Sequence, residues 1–129
     1  MRLRPRTDCG SAVVDFVLVM IVLVPLFLGI LQVALVLHVR NTLTSAASEG
    51  ARYAATLDRT PQAGVQRTRE QIAGAVAGRF AERVTATETV RDGMPVVRVD
   101  VVAEVPPLGI WGPATRIAVS GHAMEEVAP

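Results

Sequence analysis

The chain opens with a short polar segment and then stays apolar for a long stretch. Residues 16–37 carry no charged side chain, and Gln32 is the only strongly polar residue among them. As a helix rising about 1.5 Å per residue, this run spans roughly 33 Å, enough to cross a hydrocarbon core of about 30 Å. It is longer than the apolar part of a secretory signal, which has about 7–15 residues. We therefore predict a membrane span rather than a buried core helix, because the residues that follow could hardly wrap a helix that is apolar all round.

The helical pattern continues beyond this run. Residues 41–56 contain no proline, and small residues recur there at four-residue spacing: Ala47, Ala51 and Ala55, and Ala46, Gly50 and Ala54. Such stripes, with Ala47, Gly50, Ala51 and Ala54 at their centre, allow a second helix to approach closely. The high helix propensity of alanine explains them equally well. We predict one helix of about 40 residues, or about 60 Å, that bends at Pro25, where proline removes a backbone hydrogen bond.

A second helix and a small sheet are predicted after the long helix. Thr60 and Pro61 are typical of a helix start, and apolar residues at helical spacing extend this helix to about Arg83. From Val84 the apolar period becomes two, with Val84, Ala86 and Val90 facing one way. The pair Asp92-Gly93 then predicts a tight hairpin turn.

The second predicted strand has one apolar and one polar face. Its inward residues are Val97, Val99, Val101, Ala103 and Val105, and its outward residues are Arg98, Asp100 and Glu104. A third strand, residues 117–124, turns Ile117, Val119 and Ala123 inward. The expected fold is α+β, with an antiparallel three-stranded sheet that is wet on one side. We divide the chain into a leader at residues 1–10, a long helix at 11–57 and an outer domain at 58–129.

The stretch PPLGIWGP separates the second and third strands. Leu108, Ile110 and Trp111 are too apolar to be wholly solvated, so we expect this loop to fold back onto the sheet and the second helix. Contact with the membrane interface or with a partner subunit is the alternative.

Composition narrows the possible functions. The 129 residues carry a net charge of +1 with scattered arginines and 4% aromatics, which gives no support for nucleic-acid binding. Cys9 is the single cysteine, so an internal disulfide is excluded, and two histidines offer no metal cluster. Asp100, Ser120 and His122 form a conceivable triad, but ordinary surface polarity explains them far better. We predict no enzyme, cofactor or metal site.

The flanking charges indicate an orientation. Three arginines precede the apolar run and two follow it closely: Arg2, Arg4 and Arg6, then Arg40 and Arg52. Because basic residues favour the cytoplasmic side, this small excess places the N-terminus in the cytoplasm and the outer domain outside.

A family resemblance rests on residues 10–55, GSAVVDFVLVMIVLVPLFLGILQVALVLHVRNTLTSAASEGARYAA. A basic leader ending in Gly10, an acid at Asp15 and a long apolar helix together resemble a type IV prepilin-type signal. The whole segment is similar to the N-terminal region of TadE-like proteins, pseudopilins of the tight-adherence (Flp) pilus system. Its last part, NTLTSAASEGARYAA, is the most specific.

The resemblance implies how these residues act. A prepilin peptidase would cut between Gly10 and Ser11, and Asp15 would pair with the N-terminal amine of a neighbouring pilin-like subunit. We also expect Asp15 to lie in the first helical turn, where the helix dipole favours an anion. The family usually has glutamate at this place. The alternative is an uncleaved signal-anchored protein of the cytoplasmic membrane, whose outer domain binds a partner unrelated to pili.

Overall fold

The computed structural model describes residues 9–56, 58–109 and 112–126. In chain order the elements are helix α1 (Cys9–Ala55), helix α2 (Pro61–Ala73), a 3-10 helix (Val76–Arg79) and strands β1 (Ala81–Arg91), β2 (Met94–Val105) and β3 (Thr115–Met124). The sheet is antiparallel with strand order β1-β2-β3. The predicted α+β class is confirmed, with its long N-terminal helix, second helix and three-stranded antiparallel sheet.

Helix α1 is 47 residues long and continues through Pro25. At about 1.5 Å per residue it extends about 70 Å. An 18-residue window within Gly10–Ala55 has a mean hydropathy of 2.9, and no residue of that window is buried. The helix is therefore long and apolar enough to cross a membrane, and its apolar half is not the core of a soluble fold. The bend at Pro25 stays a prediction.

The core lies between the distal half of α1, α2 and one face of the sheet. Val39 and Leu43 of α1 are fully buried there. The inward residues predicted for the second strand are all at most 1% exposed: Val97, Val99, Val101, Ala103 and Val105. The period-two pattern therefore identified this face correctly, because each strand turns alternate side chains toward the helices.

The hairpin between β1 and β2 turns at Asp92 and Gly93, as predicted. Both residues have positive φ, 54° and 80°, which is the backbone of a type I′ turn. The inward placement of Val90 was wrong, because this side chain is 75% exposed. Val97 already packs on Ala54 at the end of α1, so Val90, nearer the turn, extends past the helix.

Helix α2 is shorter than predicted. It begins as expected, with the Thr60 side chain accepting a hydrogen bond from the Ala63 amide, but it ends at Ala73 rather than near Arg83. Gly74 ends the helix, and Gly78 then packs so tightly that an added Cβ would lie 2.5 Å from the Ile72 carbonyl oxygen. Arg83 instead belongs to β1, paired with Val102. The apolar spacing did not show that the helix ends at Gly74 and that a strand begins soon after it.

Candidate functional site

The N-terminal end of α1 carries the residues implicated in processing and pairing. Gly10 and Ser11 lie near the start of the helix and are exposed, and an added Cβ at Gly10 would meet nothing within 4 Å. Asp15 is also exposed on the helix. The first turn of the described helix, from Cys9, contains no acid. The expectation that Asp15 lies in the first turn concerned a chain cut before Ser11, and it stays a prediction. The leader before residue 9 is outside the described residues.

The membrane-facing half of α1 presents large apolar side chains to its surroundings. None of residues 10–31 is buried. Phe16 and Phe27 are 61% and 59% exposed, and Val22 reaches 69%. Near Pro25 and Gly29, the face bearing Leu26 forms a shallow apolar concavity. Exposing this apolar surface to water would cost free energy, and a bilayer or another apolar helix would remove that cost by covering it.

The predicted small-residue stripe lies where α1 meets α2. Gly50 faces Gly64 of α2 so closely that a Cβ added at either glycine would lie 2.7 Å from the carbonyl oxygen of the other. A Cβ on Gly64 would also lie 2.7 Å from that of Ala54. Ala51 is fully buried in the same core. The stripe thus lets two helices of this same chain approach backbone to backbone.

The other side of the stripe contacts the sheet at Gly121. This residue is on the inner face of β3, where a Cβ would collide with the backbone of Ala47 and Ser48. A glycine in a strand often marks such a close backbone approach. Together, Gly50, Gly64 and Gly121 bring α2 and β3 onto adjacent sides of α1.

One buried hydroxyl accompanies this helix crossing. Thr68 of α2 is fully buried, and its Oγ1 lies 2.9 Å from the Gly64 carbonyl oxygen and 3.4 Å from the Ala46 carbonyl oxygen. The hydroxyl therefore has hydrogen-bond acceptors on both helices, as a buried polar group requires.

The residues of the conceivable triad lie on the open face of the sheet. Asp100 pairs across the strands with Ser120, and Arg98 pairs with His122. The Asp100 carboxylate accepts a hydrogen bond from the Arg98 guanidinium at 2.8 Å, and His122 is exposed. The Asp100 carboxylate thus binds Arg98, and Asp100, Ser120 and His122 lie on the strand face that is open to solvent. Among the described residues, no group of three or more His, Cys, Asp or Glu is placed to hold a metal ion.

The loop after β2 contacts α1 rather than only the sheet. The Leu108 amide donates to Gln32 Oε1 at 2.7 Å, and Gln32 Nε2 donates to the Pro106 carbonyl oxygen at 3.3 Å. Leu108 is 40% exposed. The remaining apolar loop residues, Ile110 and Trp111, are outside the described residues, so the expectation about their packing stays untested.

Three residues with clear structural roles were missed by sequence reasoning. Gln32 carried a signal, since it is the one strongly polar side chain in the apolar run, and such a residue usually has a partner. Gly121 interrupts the inward apolar series of the third strand, which is the sign of a close backbone approach. Thr68 gave no signal, because threonine on a polar-looking helix is ordinary.

Comparison with known proteins agrees with the N-terminal resemblance. The family model described as TadE-like protein matches residues 10–52. No curated protein and no solved structure matches the chain. The matched segment includes Gly10, Asp15, the apolar half of α1 and most of its small-residue stripe. Residues 10–52 are therefore similar to TadE-like proteins, and they include a helix that is long and apolar enough to cross a membrane.

Proposed function

We propose that this chain is a pseudopilin-like subunit that acts in assembly of a tight-adherence (Flp-type) pilus. The observation that carries the proposal is the extent of the family match, which runs from Gly10 through residue 52. An apolar run alone would account for only the middle of that segment. The match also takes in the proposed cleavage site and most of the small-residue stripe, so the similarity extends from the apolar run into the part of α1 that packs on the outer domain.

The proposed topology is a single pass through the cytoplasmic membrane, with the N-terminus in the cytoplasm and residues 58–129 outside. The arginines before the span, Arg2, Arg4 and Arg6, favour this orientation. The architecture supports the single pass, since α2 and the sheet pack on the distal part of α1 and leave residues 10–31 free to enter a bilayer.

The proposed processing places a cut between Gly10 and Ser11 by a prepilin peptidase. Both residues are exposed, and an added Cβ at Gly10 would meet nothing within 4 Å, so no other described element blocks a protease there. The new amine of Ser11 would then pair with Asp15 of a neighbouring subunit. A carboxylate at the centre of a membrane helix costs about 2.5–3.5 kcal/mol on insertion scales and less near the edge, and a nearby cation would offset this cost for Asp15.

The surface available to other pilin-like subunits is the membrane half of α1. The distal stripe, including Gly50 and Ala51, is already covered by α2 and the sheet of the same chain. Contacts between subunits would therefore be made by the large apolar side chains of residues 12–31. The role is assembly by helix packing rather than catalysis.

The decisive experiment is the intact mass of the chain extracted from membranes of cells with an active prepilin peptidase. Loss of residues 1–10 is the expected result. Gly10→Leu should block this loss, and it should not disturb the fold because the site is open. Gly29→Leu is the matched control, since Gly29 is also in open space on α1. A full-length wild-type chain would instead favour the signal-anchored protein unrelated to pili.

The role of Asp15 has its own test. Asp15→Glu, which restores the residue usual in the family, should retain processing and recruitment into pilus complexes. Asp15→Asn should insert into the membrane normally but lose recruitment, since the amide cannot match a charged amine. Co-purification with a tagged pilin-like subunit measures the difference. Equal recruitment of Asp15→Asn and the wild type would contradict the pairing.

A further inference from the structure

Gln32 lies where α1 changes from an exposed helix to a packed one. Before it, none of residues 10–31 is buried; after it, Leu35 and Val36 pack against the core and Val39 is fully buried. Both ends of the Gln32 amide bond to one loop, through the Leu108 amide and the Pro106 carbonyl oxygen. The two hydrogen bonds of Gln32 therefore attach the loop of the outer domain to α1 at the end of the apolar half.

The loop occupies the end of the domain that is nearest the span. Val105 pairs with Thr115 at this end, whereas Val97, near the other end of β2, packs on Ala54 in the last turn of α1. The sheet thus runs along α1 away from Gln32. Pro106 and Leu108 lie at the end of the sheet nearest the apolar half of the helix, and an added Cβ on Gly112 would lie 3.3 Å from Pro107.

This loop cannot lie in the hydrocarbon layer. Residues 106–109 and 112–114 belong to neither helix nor strand, and most of them are exposed. Irregular backbone exposed to lipid does not occur in a bilayer core, because its polar groups would lack partners. Since the loop is bonded to Gln32, the hydrocarbon must end at or before Gln32 rather than at Leu37.

The length of the remaining helix fits this boundary. From Ser11 to Gln32 the rise is about 31 Å at about 1.5 Å per residue, and a hydrocarbon core is about 30 Å thick. The exposed apolar residues Val33 and Leu37 then rise about 1.5 and 7.5 Å above the boundary. Each interfacial layer is about 5–7 Å deep, so both side chains stay within or just at the edge of that layer.

We propose that residues 106–109, bonded to Gln32, rest on the headgroup layer of the bilayer and set the depth of the helix. The span is then residues 11–31, displaced toward the N-terminus from residues 16–37. Gln32 is a positioning residue and the loop is a lipid-contacting surface. This inference rests on membrane insertion alone, not on cleavage or on a role in pili.

The displaced span changes the setting of Asp15. Asp15 precedes Gln32 by about 25 Å of helix at about 1.5 Å per residue, which leaves Asp15 about 5 Å inside the far hydrocarbon boundary. The carboxylate is thus in lipid rather than at its edge. A neighbouring cation or a locally thinned bilayer must then accompany it.

Depth measurement by site-directed spin labelling tests the boundary. Full-length chain with Cys9→Ser is labelled singly at Leu26, Ile30, Val33 or Leu37, all exposed on α1. The chain is reconstituted in phosphatidylcholine–phosphatidylglycerol vesicles, and accessibility to oxygen and to a nickel chelate is compared. We expect Leu37 to be several-fold more accessible to nickel than Ile30, with Val33 between them. Labels at Val33 and Leu37 that are as shielded as Ile30 would overturn the boundary.

A pair of variants tests whether the hydrogen bonds of Gln32 set the depth of the helix in the bilayer. Gln32→Leu removes both bonds to the loop, and the Leu37 label should then lose nickel accessibility as the helix sinks. Val33→Leu, a neighbour with no such bond, is the control and should leave the depth unchanged. A label at Leu108→Cys should report contact with lipid, and the same label should lose this contact when Gln32→Leu is also present. Unchanged depth in Gln32→Leu, or a Leu108 label fully in water, would overturn the depth-setting role, while the intact-mass result would stand separately.

Discussion

The two halves of α1 both present apolar side chains, the first on every face and the second on its packed face, and they differ in side-chain size and in what covers them. Residues 16–31 are mostly Val, Leu, Ile and Phe, and none is buried. Residues 46–55 include Ala46, Ala47, Gly50, Ala51, Ala54 and Ala55, all of them buried. Hydropathy therefore decides where the helix can enter lipid, while small size decides where the rest of the chain can approach its backbone.

Leucine truncation in the two halves should give the largest contrast. Leu43→Ala removes a fully buried side chain from the core and should lower the free energy of unfolding by about 2–5 kcal/mol. Leu26→Ala removes a side chain that is 58% exposed and should leave the domain unchanged. Amide hydrogen exchange of β2 in detergent-solubilised protein measures both. Equal losses would mean that the apolar half is packed within the chain after all.

Adding bulk at Gly121 should have the next largest effect. Gly121→Val places a side chain against the backbone of Ala47 and Ser48, which cannot move aside without shifting the helix. We expect a loss of about 3 kcal/mol. Ala118→Val on the same strand is the control, since Ala118 is exposed on the opposite face. Trypsin resistance in increasing urea should separate the two variants; a Gly121→Val protein as resistant as the control would refute the close contact.

A single methyl at Gly50 sharpens the comparison within one helix. Gly50→Ala should separate α1 from α2 and cost about 1–3 kcal/mol, because Gly64 and Thr68 occupy the space. Gly29→Ala adds the same methyl where nothing lies within 4 Å, and should change domain stability by less than about 0.5 kcal/mol. Thermal unfolding followed by circular dichroism checks the pair, and a neutral Gly50→Ala would contradict the tight crossing.

The smallest of these effects should come from the buried hydroxyl. Thr68→Val keeps the shape but removes the hydrogen bond to Gly64 or Ala46, and should cost about 1 kcal/mol. Thr87→Val, on the exposed face of β1, is the control. Urea unfolding midpoints report the difference. A Thr68→Val protein more stable than the wild type would show that packing alone holds the crossing.

Most of the architecture was predictable because it follows from periodicity. The alternation through Val97 to Val105 identified the buried face of β2, and Asp92-Gly93 identified its turn. What was missed depends on contacts between distant segments. The end of α2 at Ala73 reflects how Gly78 packs on Ile72, and the bonds of Gln32 reach residues more than 70 positions away.

The residues of the proposed site could be predicted only from family resemblance and not from periodicity. Gly10, Ser11 and Asp15 were singled out by family resemblance, and the match over residues 10–52 agrees with it. Their chemistry would act between molecules, so the conformation of one chain cannot display it. The stripe of Ala47, Gly50, Ala51 and Ala54 was recognised as a packing surface, but sequence spacing could not tell that its occupants are α2 and β3.

Because α1 supplies both the anchor and part of the core, the outer domain can be released whole only by a cut N-terminal to about Leu35. A truncated, water-soluble fragment would have to keep residues from about Leu35 onward, or the sheet would lose the helix that covers it. A protease that clipped the chain between Val39 and Ala55 would unfold the domain instead of releasing it intact.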